Sequence, residues 1–435
     1  MIFDNFGISS VPLTAGDEFA GLGILEITTI PHQYILDETG NLEETLKRSQ
    51  GAFAQLLSEL HRQFVRTRSL NPDQGLSSEL LWLSQTVDNQ PFKARIRLFL
   101  IIRSICHTEA TAITAVADAL DSSISTLSEL KYEMKQLSYG EFAPILAGIA
   151  SERVQALCRS TRIVNLQSPI MPQCFAYDLF PRVYPEMSAI ANSLNNNPDC
   201  CISFQFITSE FSDREAAFVD GAAKAMSNLA RGLQSPGVGN ISNPLAEKPA
   251  SVYTYYSQAR QSPLFSFNIV VYGNQQAVAG ITGRVQGMIS GGSPSGTAMT
   301  TVELKPNELD KDHNFYPLPW ALDELLANKE SQIPGMAQYP AAARLPRLIT
   351  SEEAALIFRL PIGSDEVAAG FAVNNSGRKS KTFSGNIING ADINVGNLRS
   401  STQDKIGFFL NDLTRHMLIV GTPGSGKTTY SISML

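Results

Sequence analysis

The chain has 435 residues, a formal net charge of −7 and five cysteines, which together exclude several classes of protein. This length predicts two or three compact units. A hydrophobic fraction of 43% with 17% charged residues is typical of globular proteins with real cores. The negative charge argues against a surface coated with cations for nucleic acid, although it leaves a narrow basic channel open.

The cysteines and the N-terminus indicate a cytoplasmic protein. The five cysteines form no CxxC pair, so we interpret them as reduced core thiols. The first residues, MIFDNFGISS, lack the charged start and the apolar region of a signal peptide. No stretch reaches about 18 uninterrupted apolar residues, so we predict no membrane span. Any association with a membrane would require a protein partner.

Residues 1–160 predict a first α+β unit. Apolar and β-branched runs predict strands, and a one-sided apolar stripe predicts a long helix with Asn41 as its N-cap. The order β-α-β-β-α-β is typical of a ferredoxin-like unit, an antiparallel sheet with two helices on one face. The predicted elements are strand 22–30, helix 41–64, strands 78–85 and 94–104, helix 108–120, strand 132–137, and a helical connector at 141–158.

Residues 161–305 predict a second α+β unit. Glycine, proline and asparagine at 232–259 favour a loop inserted into this unit. A second ferredoxin-like unit stays an open alternative, because the two halves share no similarity at the level of residues. The predicted elements are strands 174–180, 201–208, 264–272 and 298–304, and helices 185–194, 213–231 and 274–289.

The following residues predict a connector and a small β element. Residues 306–369 are rich in proline and irregular, except for a short capped helix at 349–361 that ends at a proline. Residues 370–410 contain short strand-like segments between Gly and Asn turns. The basic stretch at 378–381 favours a solvated loop over a phosphate contact.

The sequence GTPGSGKTT at residues 421–429 matches the P-loop pattern G-x-x-x-x-G-K-S/T without a mismatch. Glycines let several backbone N–H groups point at a triphosphate, and the next helix adds its positive dipole end. Lys427 is the candidate catalytic residue that bridges the β- and γ-phosphates, and the Thr428 hydroxyl would ligate Mg²⁺. The candidate ATP-binding residues are Gly421, Gly424, Ser425, Gly426, Lys427, Thr428 and Thr429.

The sequence around this motif supports a nucleotide site. The apolar run HMLIV precedes it as a buried strand, and YSISML follows it as a first helical turn. Residues 411–435 therefore predict the first strand and helix of an α/β P-loop NTPase domain. A glycine-rich turn with a buried lysine is the alternative, and it would leave Lys427 unpaired at a high cost. The acidic residue that holds Mg²⁺ on a later strand is absent, so we expect a fragment that cannot hydrolyse ATP by itself.

Residues 411–429, NDLTRHMLIVGTPGSGKTT, resemble the start of the motor domain in the HerA/FtsK superfamily. This group includes HerA-type DNA translocases and the conjugation and type IV secretion ATPases. Its aspartate-leucine turn and arginine-histidine pair match Asp412, Leu413, Arg415 and His416.

Two upstream segments are similar to parts of the secretion ATPases: SEEAALIFRLP at 351–361 and the strand-helix pair at 264–289. The resemblance implies a ring-forming, hexameric, ATP-driven motor that acts on DNA or on a translocated substrate. It also implies that the N-terminal region docks a protein partner or gates the ring. The sequence departs from the family in lacking Walker B and the arginine finger.

Two other interpretations stay open. In the first interpretation, the α+β region is a non-enzymatic module that binds a partner, and the P-loop is vestigial. In the second interpretation, the chain is an unrelated P-loop protein. Single residues favour structural roles: we interpret Arg415 as a surface charge and His416 as a structural residue. Arg62 and Arg66, one helical turn apart, favour the solvated edge of a helix over a nucleic-acid patch.

Overall fold

The computed structural model divides the chain into two compact units, Met1–Asn374 and Asn375–Leu435. Within them it describes the following residues: 3–5, 7–13, 18–36, 42–68, 75–87, 90–147, 152–166, 173–180, 187–232, 242–290, 298–305, 319–331, 340–363, 370–374, 393–397 and 405–408.

A large β-sheet organises the first unit, with the strand order β1-β2-β3-β5-β4-β10-β11-β7-β12. Its neighbours are antiparallel, and β6, β13 and β14 pair beside this path. A separate pair, β8 and β9, lies next to it. The strands are β1 (Phe3–Asn5), β2 (Ile8–Pro12), β3 (Phe19–Pro31), β4 (Gly75–Val87), β5 (Gln90–Cys106), β6 (Glu133–Leu137), β7 (Arg153–Arg159), β8 (Arg162–Asn165), β9 (Gln173–Ala176), β10 (Cys201–Ser209), β11 (Leu264–Gly273), β12 (Met299–Leu304), β13 (Leu348–Thr350) and β14 (Val373–Asn374).

Helices cover both faces of this sheet. Helices α2, α3, α5 and α8 share one core with the short helix α10, and α4 and α9 pack on the opposite face. Helices α6 and α7, between β10 and β11, belong to a separate apolar cluster. The helices are α1 (Gln33–Leu36), α2 (Leu42–Arg68), α3 (Glu109–Glu129), α4 (Tyr139–Ala147), α5 (Ser188–Asn195), α6 (Asp213–Arg231), α7 (Glu247–Gln258), α8 (Gln275–Ser290), α9 (Pro319–Ser331) and α10 (Ser351–Ile357).

The sheet consists of two halves with the same strand order. One half reads β6-β3-β5-β4 and the other reads β12-β7-β11-β10. In each half, the strand that comes first along the chain (β3 or β7) lies between the fourth strand (β6 or β12) and the third (β5 or β11). The second strand (β4 or β10) pairs with the other side of the third. Strands β4 and β10 pair in antiparallel register from Ser77↔Ile207 to Leu83↔Cys201 and join the halves into one sheet.

A chain of buried polar side chains crosses the second face of the sheet at this junction. Arg103 Nη1 donates a hydrogen bond to Glu79 Oε2 at 2.5 Å, and the Ser203 hydroxyl donates to the other oxygen of Glu79. Gln205 Nε2 donates to Ser203 Oγ at 3.0 Å, and Asn268 Nδ2 donates to Gln205 Oε1 at 3.2 Å. Hydrogen bonds thus connect these polar groups across β5, β4, β10 and β11, as burial requires, although Arg103 Nε has no partner among the described residues.

The second unit contains one described element. Strands β15 (Ile393–Asn397) and β16 (Lys405–Phe408) form an antiparallel pair within the small β element predicted at 370–410. Strand β14, at the start of that range, instead pairs in parallel with β3 of the first unit.

The mixed α+β class predicted from the sequence is confirmed, and the long periodic elements lie where they were predicted. Helix 213–231 is observed as α6 with the same bounds, and strand 264–272 as β11. The core strands and helices of residues 1–140 are present as well, although α3 continues to Glu129. The predicted N-cap Asn41 lies outside the described residues.

Three local predictions are wrong. The connector at 141–158 is helical only to Ala147, and its second half is the buried strand β7 between β11 and β12. The Gln, Ala and Leu residues of β7 favour a helix by their intrinsic propensity. Hydrogen bonding to β11 on one side and to β12 on the other stabilises the strand instead. The insertion at 232–259 contains α7, and the irregular connector at 306–348 contains α9. Pro249 of α7 and Pro319 of α9 lie in the first turn of their helices, where the backbone N–H has no partner within the helix and a proline is therefore tolerated.

We predict that Gly21→Ala destabilises the protein, because β3 passes very close to α3 at Gly21. A Cβ there would lie 2.8 Å from the carbonyl oxygen of Ala112. Overpacking of this kind costs about 1–3 kcal/mol, which urea unfolding would measure as a lower midpoint. The control is Gly280→Ala on the exposed side of α8, where a Cβ meets no atom within 4 Å. It should stabilise by about 0.5–1 kcal/mol, and equal effects of the two variants would contradict the close approach.

Candidate functional site

The predicted nucleotide-binding residues at 421–429, including Lys427 and Thr428, lie outside the described residues, as do Arg415 and His416. Upstream of them, within the first unit, lies the described segment 340–363, named here the anchor segment. It contains β13 and α10 and crosses the sheet from β11 to the end of β3. Three ion pairs of buried or half-buried side chains fix it to the sheet and its helices.

The first ion pair joins β7 to α10. Arg159 Nη2 donates to Glu353 Oε1 at 2.8 Å, and Nη1 donates to the Tyr256 hydroxyl at 2.7 Å and to the Leu348 carbonyl at 2.9 Å. The guanidinium carbon lies 4.4 Å from the ring centroid of Phe180, a cation–π contact. Burial opposes the charge, but Tyr256 and Glu353 outweigh it and hold the pKa of Arg159 above its ordinary value.

Glu353 is held from several directions because it sits in the first turn of α10. Thr350 caps this helix by accepting a hydrogen bond from the Glu353 backbone N–H. The carboxylate accepts hydrogen bonds from the backbone N–H of Phe180 at 3.1 Å and from the Tyr255 hydroxyl at 2.8 Å, in addition to Arg159. The donors to the buried Glu353 carboxylate all come from outside α10, so Glu353 fixes α10 to the rest of the first unit.

The second ion pair joins the anchor segment to the start of α6. Arg344 binds both carboxylate oxygens of Glu215, at 2.9 and 2.8 Å, and also donates to Ser209 and to the carbonyl of Glu210. Glu215 also accepts from the backbone N–H of Ser212, which completes the capping box of α6. Burial raises the pKa of Glu215, but the hydrogen bonds from Arg344 and Ser212 outweigh it, so the net pKa is lowered.

The third ion pair connects the anchor segment to the polar chain on the other face of the sheet. Arg347 donates to Asp323 of α9 and, at 2.6 Å, to Asn268 Oδ1 on β11. The Ser266 hydroxyl donates to the same Asp323 carboxylate at 2.5 Å. Arg347 therefore links the end of the polar chain that starts at Arg103 to the segment preceding α10.

A cavity of about 750 Å³ lies between α2 and the start of α6. His61 lines it and has its Nε2 2.9 Å from the Ser209 carbonyl, and burial is the main reason why the pKa of His61 is lowered. A neutral His61 therefore donates from Nε2. Arg62 and Val65 line the same cavity from exposed positions, and Arg66 is exposed one turn further along α2.

All five cysteines are buried and have free thiols. Burial raises the pKa of Cys106 to about 11 and that of Cys174 to about 12, so neither thiolate forms readily near neutral pH. The prediction of core thiols is confirmed. Among the described residues no group of three or more His, Cys, Asp or Glu side chains is placed to hold a metal ion. Nor does the described part contain a helix of the length and apolarity that a membrane span requires.

Sequence reasoning missed Arg159, Arg344 and Arg347 as anchors. Glu353 lay in the predicted capped helix, which is a usable signal, but its partner Arg159 directly follows the stretch 141–158 that was predicted to be helical. The pairing of both β7 and β13 with β11 brings residues 159 and 353 together. Comparison with known proteins adds no assignment, since no protein-family model and no curated protein matches the sequence.

We predict that Glu353→Ala lowers the free energy of unfolding by about 3–5 kcal/mol, because it leaves Arg159 buried without its carboxylate. Urea denaturation would measure this loss. Glu352→Ala, at the exposed neighbouring position of α10, is the matched control and should cost less than about 1 kcal/mol. The double variant Arg159→Met with Glu353→Leu should recover part of the loss. Equal effects of the two single variants would show that the ion pair does not anchor α10.

We predict that Glu215→Gln is destabilising at neutral pH by about 1 kcal/mol, because it replaces a charge-assisted hydrogen bond to Arg344 with a neutral one. The pKa of Glu215 is lower in the folded state than its ordinary 4.5. Its contribution is therefore complete above pH 4.5 and is lost as the pH falls through the folded-state value.

Unfolding curves of wild type and Glu215→Gln should accordingly converge as the medium is acidified. Glu247→Gln in the first turn of α7 is the control, since this exposed carboxylate has no ion pair with the described residues. A difference between wild type and Glu215→Gln that stays constant with pH would contradict the role of the Arg344 pair.

Proposed function

We propose that the chain is the N-terminal portion of an ATP-binding, ATP-driven translocase or helicase-like motor of the HerA/FtsK kind. The observation that carries this proposal is the complete P-loop sequence at 421–429, flanked by the apolar run HMLIV, which predicts a strand, and by YSISML, which predicts a first helical turn. In this proposal Lys427 contacts the β- and γ-phosphates of ATP, and Thr428 ligates Mg²⁺. The substrate moved by the motor is DNA or a secreted polymer.

The architecture of the first unit is compatible with a docking platform in such a motor. Each half of the sheet has the strand order 4-1-3-2 with antiparallel neighbours and two connecting helices on one face, which supports two ferredoxin-like units. Their fusion through β4 and β10 makes one wide layer. We propose that this layer docks a protein partner.

Assembly and location belong to the same proposal. A ring of six copies is the expected form of the intact motor, because this family completes each nucleotide site with groups from a neighbouring subunit. The five buried thiols fit a reducing compartment such as the cytoplasm.

A non-enzymatic interaction module is the competing proposal, favoured by a specific observation. The anchor segment, which leads toward the P-loop in sequence, is itself part of the core of the first unit, with Ile349, Ala354 and Phe358 buried. Such a unit is sufficient to bind a partner without nucleotide chemistry. The two proposals differ in whether Lys427 matters to the activity of the protein.

We predict that Lys427→Ala reduces ATP hydrolysis to background in the product of the complete reading frame, because the phosphates lose their lysine contact. Release of inorganic phosphate would measure the rate, and binding of a fluorescent ATP analogue would measure affinity. The control Lys224→Ala removes an exposed lysine of α6 and should leave both unchanged. No ATP binding by the wild-type product would exclude the motor and favour the interaction module.

A further inference from the structure

A second cavity, of about 590 Å³, lies beside the Arg159–Glu353 pair between α2, α7 and α10. Its size is within the range of sites for small organic molecules, about 300–1,000 Å³. One wall is apolar, formed by Ala54, Leu179, Phe180 and Leu356. This is the combination of a concave shape and an apolar wall that binding of a ring requires.

A glycine opens this cavity at the middle of a long helix. Gly51 lies within the 27-residue helix α2 and lines the cavity, and a Cβ built on it meets no atom within 4 Å. Glycine is among the poorest residues for a helix interior, and no close neighbour excludes a side chain here. The space above Gly51 is therefore available to a ligand.

One cation at the rim of the cavity has no ion pair in the described part of the chain. Lys47 and Gln50, on the same side of α2, line the cavity and make no hydrogen bond or ion pair with the described residues. The Glu353 carboxylate is paired with Arg159, and the exposed Glu352, which lines the cavity as well, forms no ion pair with Lys47. Lys47 is thus a cation on the lining that makes no ion pair with any described residue and is available to an anion.

We propose that this cavity binds a small organic anion with an aromatic body. The ring lies over Gly51 against Phe180 and Leu356, and the carboxylate accepts hydrogen bonds from Lys47 and Gln50. The proposal does not depend on the P-loop, because every residue it uses belongs to the first unit.

Calorimetric titration with naphthylacetate, an aromatic carboxylate, tests the proposal directly in the whole chain. Binding of one molecule per chain is expected, with an affinity about fivefold higher than that of the uncharged naphthylethanol, since one exposed charge-assisted contact is worth about 1 kcal/mol. Absence of saturable binding at millimolar concentrations of naphthylacetate would overturn the proposal.

Two variants locate the site. Lys47→Ala should abolish the preference for naphthylacetate over naphthylethanol, whereas Lys224→Ala on α6 should keep it. Gly51→Leu should occupy the space above residue 51, where the ring is proposed to lie, and abolish binding of both compounds, whereas Gly280→Leu, at an equally open helix position of α8, should not. Leucine is a better helix former than glycine, so Gly51→Leu should unfold at the same temperature as wild type or higher.

The pattern across the variants decides the outcome. Binding that survives Gly51→Leu unchanged places the ligand elsewhere and overturns the proposal. A preference for the carboxylate that survives Lys47→Ala overturns the assignment of the anion contact. A thermal unfolding scan of each variant shows whether loss of binding reflects loss of structure.

Discussion

The pairing of β4 with β10 is the constraint on which the rest of the first unit depends. Each half of the sheet ends in a strand that would otherwise be an exposed edge, and such an edge is prone to unwanted pairing. The backbone bonds from Ser77 to Leu83 cover both edges at once. The connecting helices of both halves then lie on the same face and share a single apolar core.

The same junction also explains the polar chain on the other face. Arg103, Glu79, Ser203, Gln205 and Asn268 come from four neighbouring strands. The hydrogen bonds of Glu79 with Arg103 and Ser203, and of Asn268 with Gln205, join different strands and exist only when those strands are in register. A slip by one residue would turn these side chains into the apolar core and leave them without partners. The chain of polar groups therefore specifies the register, at the cost of bringing charges out of water.

An element or a site could be predicted from the sequence when the pattern that indicates it lies within one short stretch of the chain. The long apolar strand β11 and the alanine-rich helix α6 were predicted almost residue by residue, because the pattern that predicts each lies within the element itself. Strand β7 was missed, because its residues favour a helix until they are paired on both sides. Among site residues, the P-loop is a contiguous motif that the sequence alone identifies, whereas the pair of Arg159 with Glu353 spans 194 positions.

The sequence by itself determined the α+β class, the buried cysteines and the candidate nucleotide residues, because composition, periodicity and a contiguous motif need no tertiary contact. The tertiary structure decided the rest. It showed that the two halves form one sheet, that residues 340–363 are fixed by three arginines, and that Gly51 and Lys47 line a cavity with Phe180. These features join residues far apart in the chain, and only the strand pairing and helix packing set their distances.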